Sequence, residues 1–595
     1  MMRKLIALLV AMLLCLGTFT ACSANTPASD TSAPPASNSN SPAPSVAATN
    51  TPEATKPAEL PTVTYYEESP YPPGPYEQQR ARVFEKYGDV KVESVQASTE
   101  QTQALLASGN LPDIVRLRSL EELEIAIAGG MLLNLDAYID QLPQTQKNAG
   151  ASIEYARKNL SAGTGGLYAL TFGIANNPEG PYAVLWGTPL YVRWDLYTAI
   201  GRPEAATLED TIPILKAMQD YEPVTADGRK TYAIGHFPEW DGGSQFNGDG
   251  FGQVGYTNSS VASNNMVVDC TTGQILQNAS RESPSYRMFK YYNALYRNGL
   301  IDPDCITQTY NIVNEKLAAG VYVAHMNSGN VNGYNTPERN NGDPPDGYVP
   351  LMYGDNKAVK AQASPLGYTA GQYLAVSSKA NDVDACLRFI EVLSNQDAVL
   401  ELYNGPQGDK WDVVDGKFTP TQKYWDWLDA GGEYVMDEGY IWQDSFSGQR
   451  FTLSGSFFHD AYGVPLNMEY FDDIVKKKND TKVMQEWADF YGYPNQNEYM
   501  IAKSRNYFVP YACSFMPPVP EEFASIKPAI TSYVVDTYWQ LIYTDTEAGF
   551  EKLWDQMEAD VKALGGDEFW TWGQQAWLQA NATAKDLGLN DMKLH

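Results

Sequence analysis

The sequence predicts an α/β protein with a mostly parallel sheet and more than one lobe. Two observations carry that prediction. From about Thr62 onward, short β-branched or aromatic runs alternate with stretches of helical period, and a βαβαβ order of this kind folds as a parallel sheet with helices on its faces. The same globular stretch takes up most of the 595 residues, whereas one hydrophobic core rarely grows past about 250–300.

Residues 62–66 and 90–95 are the first two expected strands, rich in Val, Thr and Tyr. Between them, residues 79–87 place Arg, Phe, Glu and Lys at helical spacing. Residues 101–108 read as a helix stopped by Gly109, and Leu111-Pro112-Asp113-Ile114-Val115 as a strand entered after proline. Ligands of parallel sheets bind at the carboxyl ends of the strands. That points to the segments around residues 67–76, 97–99 and 116–119. Further on, Thr207-Leu208-Glu209-Asp210 is a variant capping box ahead of a helical face made of Leu208, Ile212, Leu215 and Met218. A helix over about 285–298 turns Phe289, Tyr292, Leu295 and Tyr296 inward, with Gly299 as its cap. Residues 548–564 and 568–581 read as aromatic helices. Such stripes are expected to be core.

Ahead of this body stand Arg3 and Lys4, an apolar run over residues 5–19, and Phe19-Thr20-Ala21-Cys22. This is the pattern of a secretory signal with a small-residue cleavage site; the apolar run falls short of the roughly twenty residues a bilayer span needs. It resembles the lipobox of bacterial lipoproteins, which implies that Cys22 takes a lipid and becomes the mature N-terminus. Phe19 stands where that motif prefers leucine. Residues 23–61 are almost entirely Ser, Ala, Thr, Pro and Asn, a composition that cannot bury enough apolar surface to order itself. About forty such residues act as a flexible tether with a reach on the order of 35 Å. The expectation is a signal over 1–21, a lipidated tether over 22–61, and a body on the extracellular face of the bacterial cytoplasmic membrane.

The formal net charge of −30 argues against nucleic acid and against attachment to anionic lipid. Cys270, Cys305, Cys386 and Cys513 allow three pairings, among which sequence does not choose. His236, His325, His459 and His595 lack metal-ligand spacing. There is no HExxH, no GxSxG elbow, no Walker loop and no dinucleotide fingerprint. Neither a metal, a cofactor nor a catalytic residue is expected. Phe457-Phe458-His459-Asp460 offers an adjacent His–Asp pair, which reads as structural.

Several segments, in order, resemble the extracellular solute-binding proteins of family 1, the carbohydrate-binding components of ABC importers. They are Leu106-Ala107-Ser108-Gly109-Asn110-Leu111-Pro112-Asp113-Ile114, Gly129-Gly130-Met131-Leu132-Leu133-Asn134-Leu135-Asp136, Gly166-Leu167-Tyr168-Ala169-Leu170 at a first hinge strand, and Val192-Arg193-Trp194-Asp195-Leu196-Tyr197. The series continues through Asn298-Gly299-Leu300-Ile301-Asp302-Pro303, Lys316-Leu317-Ala318-Ala319-Gly320 and Tyr403-Asn404-Gly405-Pro406-Gln407-Gly408. The resemblance implies a periplasmic-binding-protein-like fold of class II type, two α/β lobes with a hinge between them and a helical C-terminal part. It implies lobe 1 over 62–171 plus about 366–400, and lobe 2 over 172–365 plus about 401–595. It further implies a monomer that closes on an oligosaccharide and delivers it to ABC permease subunits. Some relatives carry a calcium loop where this chain has residues 220–231, but the alternate oxygen ligands are largely missing around Asp227-Gly228. Ile542-Tyr543-Thr544-Asp545 also lacks the glycine usual after that isoleucine.

A sugar presents an apolar C–H face and a rim of hydroxyls, so its site needs aromatic platforms flanked by carboxylates and amides. Residues 237–249 mix these groups on a Gly-rich loop, with Trp240, Asp241 and Gln245 as candidates. The others are Trp186, Glu67, Glu68 and Tyr71 after the first strand, and Trp411 and Trp442 in later loops. A secreted glycoside hydrolase or lyase, or a peptide-binding or adhesion lipoprotein of the same fold, is the competing class. Fold by itself does not choose between them.

Overall fold

The strands that position the functional residues are, in chain order, β1 (Thr62–Glu67), β2 (Lys91–Gln96), β3 (Ile114–Leu117), β4 (Leu190–Arg193), β5 (Ala324–His325), β6 (Tyr348–Leu351) and β7 (Tyr373–Val376). They belong to a computed structural model that describes residues 59–67, 75–96, 99–176, 190–238, 251–257, 265–326, 329–360, 365–367, 373–429, 453–503, 506–508, 510–517, 519–586 and 589.

The first sheet has the order β7-β3-β1-β2. β1 runs parallel to both β2 and β3, and β7 closes the edge antiparallel to β3. Val63, Tyr65, Tyr66, Ile114, Val115 and Leu117 are all buried, as strands covered on both faces require. Helix Pro75–Gly88 supplies Phe84, which stacks on Phe389 of helix Val383–Ser394 at 4.6 Å. The amino end of β3 is tied down by Asp113. Its carboxylate accepts from the Thr64 amide (2.9 Å) and hydroxyl (2.7 Å) and from the Asn381 amide (2.8 Å). Burial works against its ionisation, but these donors outweigh it and hold its pKa below the ordinary value.

The second sheet has β4 in the middle, antiparallel to β5 and β6. Two parallel bridges, Tyr232 to Tyr322 and Ile234 to Ile301, widen it. Arg193, at the carboxyl end of β4, is buried and bound by Asp195 (2.6 Å) and Glu222. Nearby Asp346 is pushed up to about 6, by burial first and by Asp195 second.

The chain passes between the sheets where Leu170 exchanges both backbone hydrogen bonds with Leu374 (2.9 Å each). That is the segment expected as a hinge strand. Two cores result. The first packs β1–β3 and β7 with Leu402, Trp411, Phe418, Leu466 and Ala512; the second packs β4–β6 with helices Pro284–Arg297, Ile526–Ile542 and Glu547–Ala563. Residues between about 402 and 516, which the resemblance implies for lobe 2, have members in the first core as well as the second. Helical spacing shows that a face is buried but not which core it meets. Helix Gly566–Asp586 contributes to both, with Phe569 in the second core and Trp577, Ala580 and Ala584 in the first.

Most expected elements stand within a few residues of where the sequence puts them. The capping box is a difference: Thr207 and Asp210 do hydrogen-bond reciprocally, yet the helix starts only at Thr211. The box closes a turn one step before it. The cysteines Cys270, Cys305, Cys386 and Cys513 are buried free thiols. Among the described residues no helix is long and apolar enough to cross a membrane.

Candidate functional site

Strand register places the ends of both sheets that matter. In the first sheet Glu67 pairs with Gln96, and Tyr373 with Leu117, so the ends of β1, β2 and β3 and the start of β7 share one edge. Arg116 lies there, 2 % exposed, with its guanidinium carbon 6.0 Å from the ring of Phe172 just past the hinge bridge. This residue was within an expected loop but not singled out by type. An arginine in a strand gives no sequence signal of its depth.

In the second sheet Tyr191 pairs with His325, Leu190 with Leu351, and the 232–236 segment runs parallel to β5. One edge therefore collects Leu190, His236, His325 and Leu351. In sequence, Leu190 follows Trp186 by four residues and His236 precedes Trp240 by four. Gly235 is needed here: a Cβ at this position would stand 1.9 Å from the ring of Tyr322. The two histidines are fully enclosed and neutral. Burial, then the other imidazole, lowers His236 well below its ordinary value, and burial brings His325 to about 4.

Under this edge runs a directed chain of polar groups. The Lys316 ammonium donates to Asp302 (2.7 Å), the Tyr322 hydroxyl donates to the same carboxylate (2.6 Å), and Gln308 Nε2 donates to the Tyr322 hydroxyl (3.2 Å) and to the carbonyl of His236 (2.6 Å). The His236 amide donates to Cys305 Sγ at 3.2 Å. Phe237 packs edge-on to Tyr310 at 5.4 Å. The motif containing Asp302 marked the resemblance but not this role, because the partners stand up to 72 residues apart.

Of the sequence-predicted site residues, Glu67 is the last residue of β1. Its side chain, together with Glu68, Tyr71, Trp186, Trp240, Asp241, Gln245, Trp442 and the lipidation candidate Cys22, lies outside the described residues. Trp411 is described, and the structure gives it a different environment from a platform. It is 4 % exposed, stacked on Phe418 at 4.7 Å, and its indole N–H donates to the carbonyl of Gly405 (2.7 Å). It is expected in a loop, whereas it begins a hairpin strand, Trp411–Val414, paired with Lys417–Pro420.

His459 faces Asp397 at 3.1 Å, not the adjacent Asp460, which pairs with Lys147 at 2.7 Å. The expected structural role fits that arrangement. In the 220–231 loop the Asp227 carboxylate is taken by Arg229 (2.9 Å) and Thr225. Among the described residues no group of three or more His, Cys, Asp or Glu is arranged to hold a metal.

The architecture is that of a two-lobe periplasmic-binding-protein-like α/β protein, and solved structures of that class cover nearly all of the body. One is the alginate-binding protein AlgQ2 without calcium ion, 16 % identical, covering 87 % of this chain and 98 % of its own, with a TM-score of 0.56. A second is the S. pneumoniae ABC-transporter substrate-binding protein FusA in complex with kestose, 15 % identical over 88 % of this chain and 100 % of its own, TM-score 0.57. A third is an HMO-binding ABC-transporter-associated solute-binding protein from Bifidobacterium longum infantis, 15 % identical over 87 % and 98 %, TM-score 0.55. At these identities the likeness is one of fold. No family model and no curated protein matches the chain.

Proposed function

We propose that this chain captures a neutral oligosaccharide outside the cell and hands it, unaltered, to the permease of an ABC importer. The observation that carries the reading is the second sheet's edge, where half-buried Tyr310 packs on the buried Phe237 and which lies four residues in sequence from both Trp186 and Trp240. Aromatic groups gathered at a strand-end edge suit the C–H face of a sugar. The fold shared with oligosaccharide-binding proteins supports the same reading. Glu67 ends β1 on the ligand-side edge of the first sheet, with Glu68 and Tyr71 next in sequence, and a ligand touched by both lobes favours the closed form. Trp240 and Asp241 act as platform and hydroxyl clamp, with Trp186, Gln245 and Trp442 as further contacts. Cys22 carries the lipid that holds the body at the membrane, and the protein works as a monomer.

Two or three stacked rings plus charge-assisted hydrogen bonds account for the ~8 kcal/mol of a micromolar complex. The test is a glycan array followed by thermal shift with each bound sugar. Binding of neutral oligosaccharides with an unchanged sugar after prolonged incubation is the expected result. Cleavage of the sugar, or binding of peptides alone, overturns the reading.

A further inference from the structure

We infer that Gln308 is a positioning residue for the ligand-binding edge of the second sheet, fixing the backbone at His236 where the chain runs past the last sheet bridge. The inference rests on the carbohydrate-binding reading for its functional consequence, and on hydrogen bonds alone for its mechanical part.

Gln308 is 3 % exposed, so both hydrogens of its carboxamide need acceptors within the protein. They have them in the His236 carbonyl at 2.6 Å and the Tyr322 hydroxyl at 3.2 Å. The direction of donation is set further down the chain. Tyr322 has one hydrogen and two acceptors in reach, the Asp302 carboxylate at 2.6 Å and Gln308 Oε1 at 3.3 Å; the shorter contact to the charged group takes it, and Asp302 is 1 % exposed and paired with Lys316. The Tyr322 oxygen is left to accept from Gln308, whose second hydrogen then goes to His236. Burial and Asp302 push the Tyr322 phenol far up, so it stays a donor across the working pH range. His236 is where this support matters, because residues 232–234 are held by sheet bridges and Pro238 has no amide hydrogen to donate. Gln308 and the Cys305 thiol both grip the backbone past the last bridge.

The test is amide hydrogen exchange on the full chain, read at residues 234–237, in the wild type and in Gln308→Glu. The exchanged side chain has the same size but at pH 8 presents a carboxylate, which cannot donate to the His236 carbonyl. Exchange at these amides is expected to become about fivefold faster than in the wild type at the same pH, the factor for one lost hydrogen bond. At pH 5 the introduced carboxyl, its pKa raised by burial and by Asp302, recovers an O–H donor, and the ratio to wild type is expected to return toward one. A space-filling role for Gln308 predicts no change at either pH, and that result overturns the inference. If Gln308→Glu does not fold, Gln308→Met serves, with faster exchange expected at both pH values and unchanged exchange overturning the inference.

Kestose, maltotetraose and lacto-N-tetraose are then titrated into wild type and variant at pH 8. Any of them that binds the wild type is expected to bind the variant about fivefold or more weakly, and equal affinity overturns the functional half of the inference. A wild type that binds none of the three counts against the carbohydrate reading for these sugars, while the exchange data still decide the role of Gln308.

Discussion

Asp113 and Asp302 are both buried carboxylates beside a sheet, and they hold opposite ends. Asp113 sits at the amino end of β3, away from the strand ends expected to meet ligand, and accepts only from neutral donors on Thr64 and Asn381. Asp302 sits under the ligand-side edge of the second sheet, paired with a lysine and a tyrosine that pass its influence to the backbone of His236. The same residue type fastens the frame in one place and aims the site in the other. The difference lies in where the partners lead, not in burial.

The largest effect expected concerns the first core. Trp411→Ala removes an indole stacked on Phe418 and is expected to cost about 3–5 kcal/mol of folding stability, with carbohydrate affinity preserved in the folded fraction. Denaturant unfolding alongside titration checks it. A loss of affinity at unchanged stability would return Trp411 to the site and blur the contrast between frame and edge.

Asp113→Ala sharpens the contrast directly. It leaves the Thr64 and Asn381 donors facing a void and is expected to destabilise by about 2–3 kcal/mol, again without weakening sugar binding. Affinity that falls in parallel would mean the two ends of the first sheet are coupled.

The smallest effect is a pH dependence confined to the second sheet. His325 titrates near 4 when folded, against about 6.5 unfolded. A depressed histidine contributes stability at neutral pH that is lost as pH falls from 6.5 toward 4, because the unfolded chain takes up the proton first. Asp346, raised to about 6, works in the opposite sense over the same range. The difference between wild type and His325→Gln reports this histidine together with the part of the His236 depression that it causes. The variant is expected to lose about 2 kcal/mol less than the wild type between pH 6.5 and 5, measured by urea unfolding at both values. Identical slopes would show that His325 is already solvated.

Much of the frame was legible because it is local. Gly109 stops one helix with φ of 66°, Gly299 follows another with φ of 70°, and the β1, β2 and β3 runs are written in β-branched and aromatic residues. The site was legible only as candidates on loops, since aromatic–polar segments look alike whether they meet a sugar or a core. Trp411 shows the failure: a tryptophan after a turn gives no sign that Phe418, seven residues on, will cover its face. The Lys316–Asp302–Tyr322–Gln308–His236 chain was invisible for a related reason. Its order exists only after the bridges from 232 to 322 and from 234 to 301 have formed.

The helix Gly566–Asp586 sets an order of events during synthesis. At about 1.5 Å per residue it is a rod of roughly 30 Å, and its two halves fill gaps in different cores through Phe569 and Trp577. A ribosome delivers these residues after every strand of both sheets. Until then the second core lacks Phe569 and the first lacks Trp577, Ala580 and Ala584. Both cores seal together once the rod arrives.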